Sequence, residues 1–293
     1  MVIKPLTIKG TTQLLGVIGY PVKHSMSPIM HNAAISTLDI DYVYLPFPIA
    51  PEDLKIAIDG FAAVGLRGFN ITIPHKQTIM PLLAHVSDVA QAIGAVNTVW
   101  WGDLGWQGTN TDAIGFIAPL QTLERDWHQS PALILGNGGA ARAVVAACHQ
   151  LDCPEILVVG RSEQKLAAFA QSWQTSPLKP PISVHTWDRL DDLLPRVGLV
   201  VNSTPVGMAP DVAASPLTEA QMSLLSSQAI AYDLIYTPRP TRFLQQAKTI
   251  GLTTFDGLEM LVQQGAAALD IWTQQSSPVE VMRQSLLDYL SGA

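Results

Sequence analysis

Ala132-Leu133-Ile134-Leu135-Gly136-Asn137-Gly138-Gly139-Ala140-Ala141-Arg142-Ala143 runs from a short apolar stretch through a glycine turn into an alanine-rich segment. Four apolar residues stopped by a turn read as a buried strand, and the alanines that follow favour a helix. Within strand, turn and helix each small residue has its own reason. Gly136 permits the tight turn, Gly138 lets a pyrophosphate approach the backbone, and Ala141 takes the place of a third glycine where helix and strand pack closely. The start of the helix, at Gly139 and Ala140, offers unpaired N–H groups and a positive dipole end to phosphates. A second apolar strand, 156–159, follows at the expected distance. Gly136, Asn137, Gly138, Gly139 and Ala140 therefore read as a dinucleotide site.

The end of that second strand selects the cofactor. An acid there would bind a ribose 2′-OH and repel a 2′-phosphate, but the sequence has Gly160-Arg161-Ser162. Arg161 can lay a planar guanidinium against a phosphate, Ser162 can donate a hydrogen bond, and Lys165 adds charge one turn later. Glu163 argues the other way. The balance favours NADP over NAD.

Working outward, strands at 182–185, 199–202, 230–234 and 252–255 alternate with helices at 140–150 and 163–173. Such crossovers yield an α/β, doubly wound parallel sheet of the Rossmann type. Upstream, a second β-α-β rhythm appears: strand 14–18, helix 29–38, strand 42–46, helix 52–64, strand 68–73 and strand 95–101. Glu52 and Asp53 after Pro51 suit a helix start, where acids meet the positive dipole end. Two α/β domains follow, with a boundary near Asp112 and a cleft between them.

The chain has 293 residues, 48% of them apolar, and a formal charge of -7. It holds no basic run to track a phosphate backbone, so nucleic acid is not expected as a partner. Apolar stretches such as 14–19 fall short of the roughly 20 residues of a membrane helix, so no membrane association is expected. Lys4 and Lys9 are not followed by a signal-like apolar region, which predicts a cytoplasmic protein. Cys148 and Cys153 have neither CxxC spacing nor a histidine partner, and no metal is predicted. His24, His31 and His75 lack metal spacing and read as solvated or hydrogen-bonded loop residues. Trp100, Trp101 and Trp106 read as packing residues.

Polar residues cluster in the first third: 24–28, 68–76, 97–98 and 108–112. Asn70 and Thr72, two apart on a strand, share a face, and Lys76 follows just past Pro74. Hydroxyls of Ser25, Ser27 and Thr72 with the amides of Asn70 and Asn97 make a donor and acceptor set suited to a small polyol carboxylate.

Seven stretches, HSMSP at 24–28, GFNITIPHK at 68–76, AVNT at 95–98, GTNTD at 108–112, GNGGAARA at 136–143, NSTPVGM at 202–208 and DGLEMLVQQGA at 256–266, together resemble the shikimate dehydrogenase family. The resemblance covers nearly the whole chain. It implies reversible, NADP-dependent reduction of 3-dehydroshikimate to shikimate, with Ser25, Ser27, Asn70, Thr72, Asn97, Tyr236 and Gln264 on the substrate and Lys76 with Asp112 as the catalytic pair. Thr204, Met208 and Gly257 fall to the cofactor. Gln264 alone would read as a solvated helix amide. The resemblance also implies a substrate domain of residues 1–111 plus 257–293, a cofactor domain of 112–256, and last helices that return to the first domain. The family's loop after the second cofactor strand often reads Asn-Arg-Thr, from which Gly160-Arg161-Ser162 departs. Lys76 would give or take the proton, or would stabilise the alkoxide while water carries it. A quinate or dual-specificity dehydrogenase using NAD is one rival reading, and a non-catalytic NADPH sensor another. An exposed face of the first domain leaves room for a homodimer.

Overall fold

A computed structural model describes residues 7–292, so Lys4 lies outside it. The chain divides into one unit running to Gly115 and resuming at Val262, and a second from Phe116 to Leu261.

In the first unit the strands are β1 (Gln13–Gly19), β2 (Tyr42–Pro48), β3 (Gly68–Ile71), β4 (His85–Val86), β5 (Thr98–Gly102) and β6 (Gly105–Thr109). Helices α1 (Ser27–Leu38), α2 (Leu54–Ala63), α3 (His75–Thr78) and α4 (Asp88–Ile93) connect them, and α5 (Asp112–Leu120) begins there. The sheet order is β2-β1-β3-β5-β6-β4. β1 pairs in parallel with β2 and β3, because α1 and α2 are the crossovers. β3, β5 and β6 are antiparallel neighbours. The sequence does not announce β6: its residues, GWQGT, offer one large inward side chain between two glycines, so no alternation is visible. Gly105, at φ +106°, allows the tight turn from β5. Trp106 then docks in the core against α2, its indole N–H donating to the Ile58 carbonyl at 3.3 Å, while Trp101 meets it edge-on and stays about half exposed.

The strand expected through Ile73 stops at Ile71. Pairing with β5 ends at Asn70 opposite Thr98, and Pro74 has no N–H to extend a ladder. Thr72 nevertheless donates its N–H to Ile18 at 2.9 Å, so the extended path continues past the strand.

In the second unit the elements are β7 (Ala132–Leu135), α6 (Gly139–Gln150), β8 (Ile156–Gly160), α7 (Glu163–Gln174), β9 (Ile182–Thr186), α8 (Leu190–Leu193), β10 (Leu199–Asn202), α9 (Glu219–Met222), β11 (Ile230–Asp233), α10 (Arg242–Thr249) and β12 (Thr253–Phe255). All strands are parallel, in the order β12-β11-β10-β7-β8-β9. This is the doubly wound order, and the strand order reverses between β7 and β10. Residues of β7, β8, β10 and β11 are buried throughout, as strands covered on both faces must be. Helix α11 (Gly257–Thr273) and helix α12 (Val279–Ser291) complete the chain, and α12 packs on α1. No helix among the described residues is long and apolar enough to cross a membrane.

Candidate active site

Pro74 ends the extended run after β3, and the short helix α3 that follows sets Lys76 on its first turn. The Lys76 ammonium donates to Asp112 Oδ2 at 2.7 Å. Asp112 opens α5, where a carboxylate meets the helix's positive end. Its second oxygen, Oδ1, accepts from Asn97 Nδ2 at 2.7 Å. Both side chains of the ion pair keep some exposure, 31% for Lys76 and 18% for Asp112, so the pair is held yet reachable by a small molecule.

Asn97 is the hub. Its Oδ1 accepts the Thr111 N–H at 2.8 Å and the Thr98 hydroxyl at 2.9 Å, and its Nδ2 lies 3.4 Å from Gln264 Oε1. The Thr111 hydroxyl donates to the Gln264 carbonyl at 3.0 Å. Asn70 joins from β3: its amide donates to the Asn97 carbonyl at 3.2 Å and to Thr98 Oγ1 at 3.1 Å, and its oxygen accepts the Tyr44 hydroxyl at 2.7 Å. Gln264 is placed by α11, which is anchored where Trp272 donates to the Val99 carbonyl at 2.9 Å. Any side chain on Gly68 would strike that indole, with a Cβ only 2.1 Å from Nε1. Ser27 begins α1, and its N–H donates to Ser25 Oγ at 3.4 Å. Thr72 is half-buried beyond β3. The first unit thus joins Lys76, Asp112, Asn97, Asn70 and Gln264 in one hydrogen-bonded set, with Ser25 and Ser27 at a helix amino terminus.

Thr111, Thr98, Tyr44 and His31 escaped the sequence reading as site residues. Thr111 stood inside a quoted polar cluster, but nothing in the pattern of β2 marks Tyr44. His31 is not a loop histidine. It lies on α1, fully buried, stacked on Tyr44 at 4.1 Å between ring centroids, with Nδ1 2.9 Å from the Ser27 carbonyl. Burial outweighs the pull of the Ser27 and Gly265 backbone and lowers its pKa from 6.5 to about 4. His75 is also buried, with Nε2 at 2.8 Å from the Ile49 carbonyl, and His24 is exposed.

The His31 shift has a sign. A histidine kept neutral in the fold takes up its proton on unfolding, so stability present above pH 6.5 is lost as pH falls towards 4, by up to about 3 kcal/mol. The stability gap between the wild type and His31→Gln should therefore narrow by about that amount between pH 7 and pH 4, measured by urea unfolding. A gap that stays constant would show that His31 is not held neutral. Taking the difference cancels the opposite contribution of Asp233, described below.

In the second unit, Gly136 sits at φ +104° at the switch between β7 and β10. A Cβ there would stand 2.9 Å from Ser203 Oγ and 3.0 Å from Thr204 Cγ2, so only glycine fits. Beyond it, a Cβ on Gly138 or Gly139 would meet nothing within 4 Å, which leaves the start of α6 open to a phosphate group. Ala140 is exposed there and Ala141 is fully buried. At the end of β8, Arg161 and Lys165 are exposed, and Ser162 caps α7 by accepting the Lys165 N–H at 3.4 Å. No acid occupies the end of β8 itself; Glu163 lies in the first turn of α7 and is exposed.

The loops after β10 and β11 are tied by a buried pair. Asn202 donates to Asp233 Oδ1 at 3.0 Å and to the Val206 carbonyl at 3.1 Å, and it accepts the Thr204 hydroxyl at 2.7 Å. Asp233 also accepts from the Ile235 N–H at 3.0 Å and the Thr241 hydroxyl at 2.7 Å. Burial raises its pKa to about 6 against these three donors, so its contribution to stability grows as pH falls through 6. The network sets the loops that carry Thr204, Met208 and Tyr236. The Thr204 hydroxyl is engaged inside its own loop, also accepting the Val206 N–H at 3.2 Å. Met208 is half exposed, and Tyr236 is half-buried with its hydroxyl pKa raised by burial. A Cβ on Gly257 would stand 2.1 Å from the Leu234 carbonyl oxygen, so this glycine lets α11 start close against the end of β11. No group of three or more metal-ligating side chains exists among the described residues.

Residues 17–99 match the family model of the shikimate dehydrogenase substrate binding domain, and residues 257–287 that of the shikimate 5′-dehydrogenase C-terminal domain. The chain is 59% identical over 284 residues to a shikimate dehydrogenase (NADP(+)) of Synechocystis sp., covering 97% of this chain and 98% of that protein. Among solved structures it is similar to a shikimate dehydrogenase in complex with NADP+, at 37% identity and a TM-score of 0.88, covering 98% and 99% of the two chains. It is also similar to shikimate 5-dehydrogenase from Listeria monocytogenes in complex with shikimate and NAD, at 32% identity and a TM-score of 0.89, covering 95% and 98%.

Proposed function

The chain belongs to the shikimate dehydrogenase family, and on that premise we propose that it is an NADP-dependent oxidoreductase interconverting 3-dehydroshikimate and shikimate in aromatic amino-acid biosynthesis. The observation that carries this is the Lys76–Asp112 ion pair at 2.7 Å, set among the amides of Asn97, Asn70 and Gln264. A polyhydroxylated ring needs many hydrogen-bonding partners, and a reacting alcohol needs one group that exchanges a proton. The first unit supplies both.

We assign the substrate carboxylate to Ser25 and Ser27 at the start of α1, where two hydroxyls and the positive end of the helix dipole meet an anion. Ring hydroxyls fall to Asn70, Thr72, Asn97, Asp112 and Gln264, and Tyr236 adds a phenol. Lys76 donates the proton to the emerging alkoxide during reduction, and Asp112 orients the ammonium. The nicotinamide, when bound, supplies or accepts the hydride. The open turn at Gly138 and Gly139, the positive φ that glycine permits at Gly136 and the missing acid at the end of β8 fit an NADP pyrophosphate and 2′-phosphate. Gly136, Asn137, Gly138, Gly139 and Ala140 would hold the pyrophosphate side, Arg161, Ser162 and Lys165 the 2′-phosphate, and Thr204, Met208 and Gly257 the nicotinamide side.

Buried reduced thiols at Cys148 and Cys153 support a cytoplasmic setting, and we take the working form to be a homodimer, which light scattering checks. Initial rates with shikimate and with quinate, each against NADP and NAD, test the function. We expect kcat/KM to be largest for shikimate with NADP. A larger value for quinate with NAD makes the protein a quinate dehydrogenase, and cofactor binding without turnover in any combination makes it a sensor.

A further inference from the structure

Gly160 closes β8 at the position from which a dinucleotide-binding sheet meets the adenosine ribose. Its backbone does not demand glycine, since it is not among the residues of positive φ. What excludes a side chain there is a neighbour. A Cβ on Gly160 would stand 3.0 Å from Asn137 Oδ1 and 3.1 Å from Asn137 Cγ, with Leu166 Cδ2 at 2.9 Å. The Leu166 methyl is the end of a flexible chain and can move. The Asn137 carboxamide meets the added atom through both Oδ1 and Cγ and would have to give by a few tenths of an ångström.

A side chain from the first phosphate-binding loop therefore fills the space that a side chain on the second strand's last residue would enter. Asn137 is half-buried, and its carboxamide forms no side-chain hydrogen bond among the described residues. An amide with both donors free, beside the residue that precedes Arg161 and Ser162 in the chain, is equipped for an anionic ligand. An aspartate of the same shape would instead accept from a ribose 2′-OH and repel a 2′-phosphate.

We propose that Asn137 reads the adenosine ribose, its carboxamide taking over the selecting position left empty at Gly160 and donating to the 2′-phosphate alongside Arg161 and Ser162. This deepens the NADP reading above and rests on it.

Calorimetric binding of adenosine 2′,5′-bisphosphate and of 5′-AMP to the full-length protein tests the assignment. Asn137→Asp, which keeps the shape, should weaken the bisphosphate roughly a hundredfold and leave 5′-AMP within about twofold. Asn137→Ala should cost the bisphosphate roughly tenfold. Gly160→Asn alone should also weaken it, because the new side chain meets Asn137. The double variant Asn137→Ala with Gly160→Asn should recover affinity to within about threefold of the wild type, a non-additivity expected only of side chains sharing one space. Equal losses for both nucleotides, or a bisphosphate affinity indifferent to Asn137→Asp, would overturn the assignment. Turnover of shikimate is a separate readout: its absence beside the expected binding pattern sinks the enzymatic reading alone, and failure to bind either nucleotide sinks both.

Discussion

Replacing Lys76 with alanine should lower kcat for 3-dehydroshikimate reduction by about 10²- to 10⁴-fold while KM for 3-dehydroshikimate rises by less than about tenfold. The asymmetry follows from what the ammonium does. In the proposed ground state, Asn70, Asn97, Gln264 and the serines at the start of α1 also hold the substrate, so the loss of one donor should cost only modest binding. As the hydride moves, negative charge gathers on a single oxygen, and only Lys76 stands ready to neutralise it. An interaction that strengthens in the transition state appears in kcat. The same variant leaves Asp112 without its 2.7 Å partner, so Lys76→Ala also places an uncompensated carboxylate beside the substrate. Lys76→Arg separates the two effects, since it keeps the charge and gives up the ready proton. A KM increase with kcat unchanged would make Lys76 a binding residue and remove the proposed acid.

The second large effect belongs to Arg161. Arg161→Ala should raise KM for NADP by roughly ten- to a hundredfold, the worth of a charge-assisted pair with phosphate, and change KM for NAD by less than about twofold. Arg161 is exposed at the end of β8 and forms no ion pair among the described residues, so nothing in the fold competes for its guanidinium. Because the site is open to solvent, added salt should shrink the difference between the cofactors. Equal losses for both cofactors would mean that Arg161 shapes the loop and does not recognise the 2′-phosphate.

The second unit was legible because its physics is local. A buried parallel strand is an unbroken apolar run, and each run here stops at a residue that turns: β7 at Gly136 and β8 before Arg161. The sequence therefore placed β7 and β10 residue for residue. The first unit was harder, since β6 pairs through a hairpin whose two glycines hide the alternation, and β3 ends early because Pro74 lies just beyond. The motifs led directly to Lys76 and Asp112, yet the hub role of Asn97, the Thr111 bridge to Gln264 and the Tyr44 support of Asn70 are contacts between residues as many as 167 positions apart. Periodicity carries no trace of such pairings. His31 shows the same limit: only the fold reveals that it is sealed against Tyr44. The contact of Asn137 with the space at Gly160 likewise joins two loops that the sequence presented as separate motifs.

The central claim is that this chain delivers a hydride and a proton to the same carbonyl. Its most direct test is a single mixing of the purified protein with 3-dehydroshikimate and NADPH, following NADPH absorbance and identifying the product by NMR. We expect NADPH to be consumed mole for mole with shikimate formed, and Lys76→Ala to abolish nearly all of that consumption while still binding both ligands. NADPH that stays bound and unoxidised in the presence of 3-dehydroshikimate would contradict the claim.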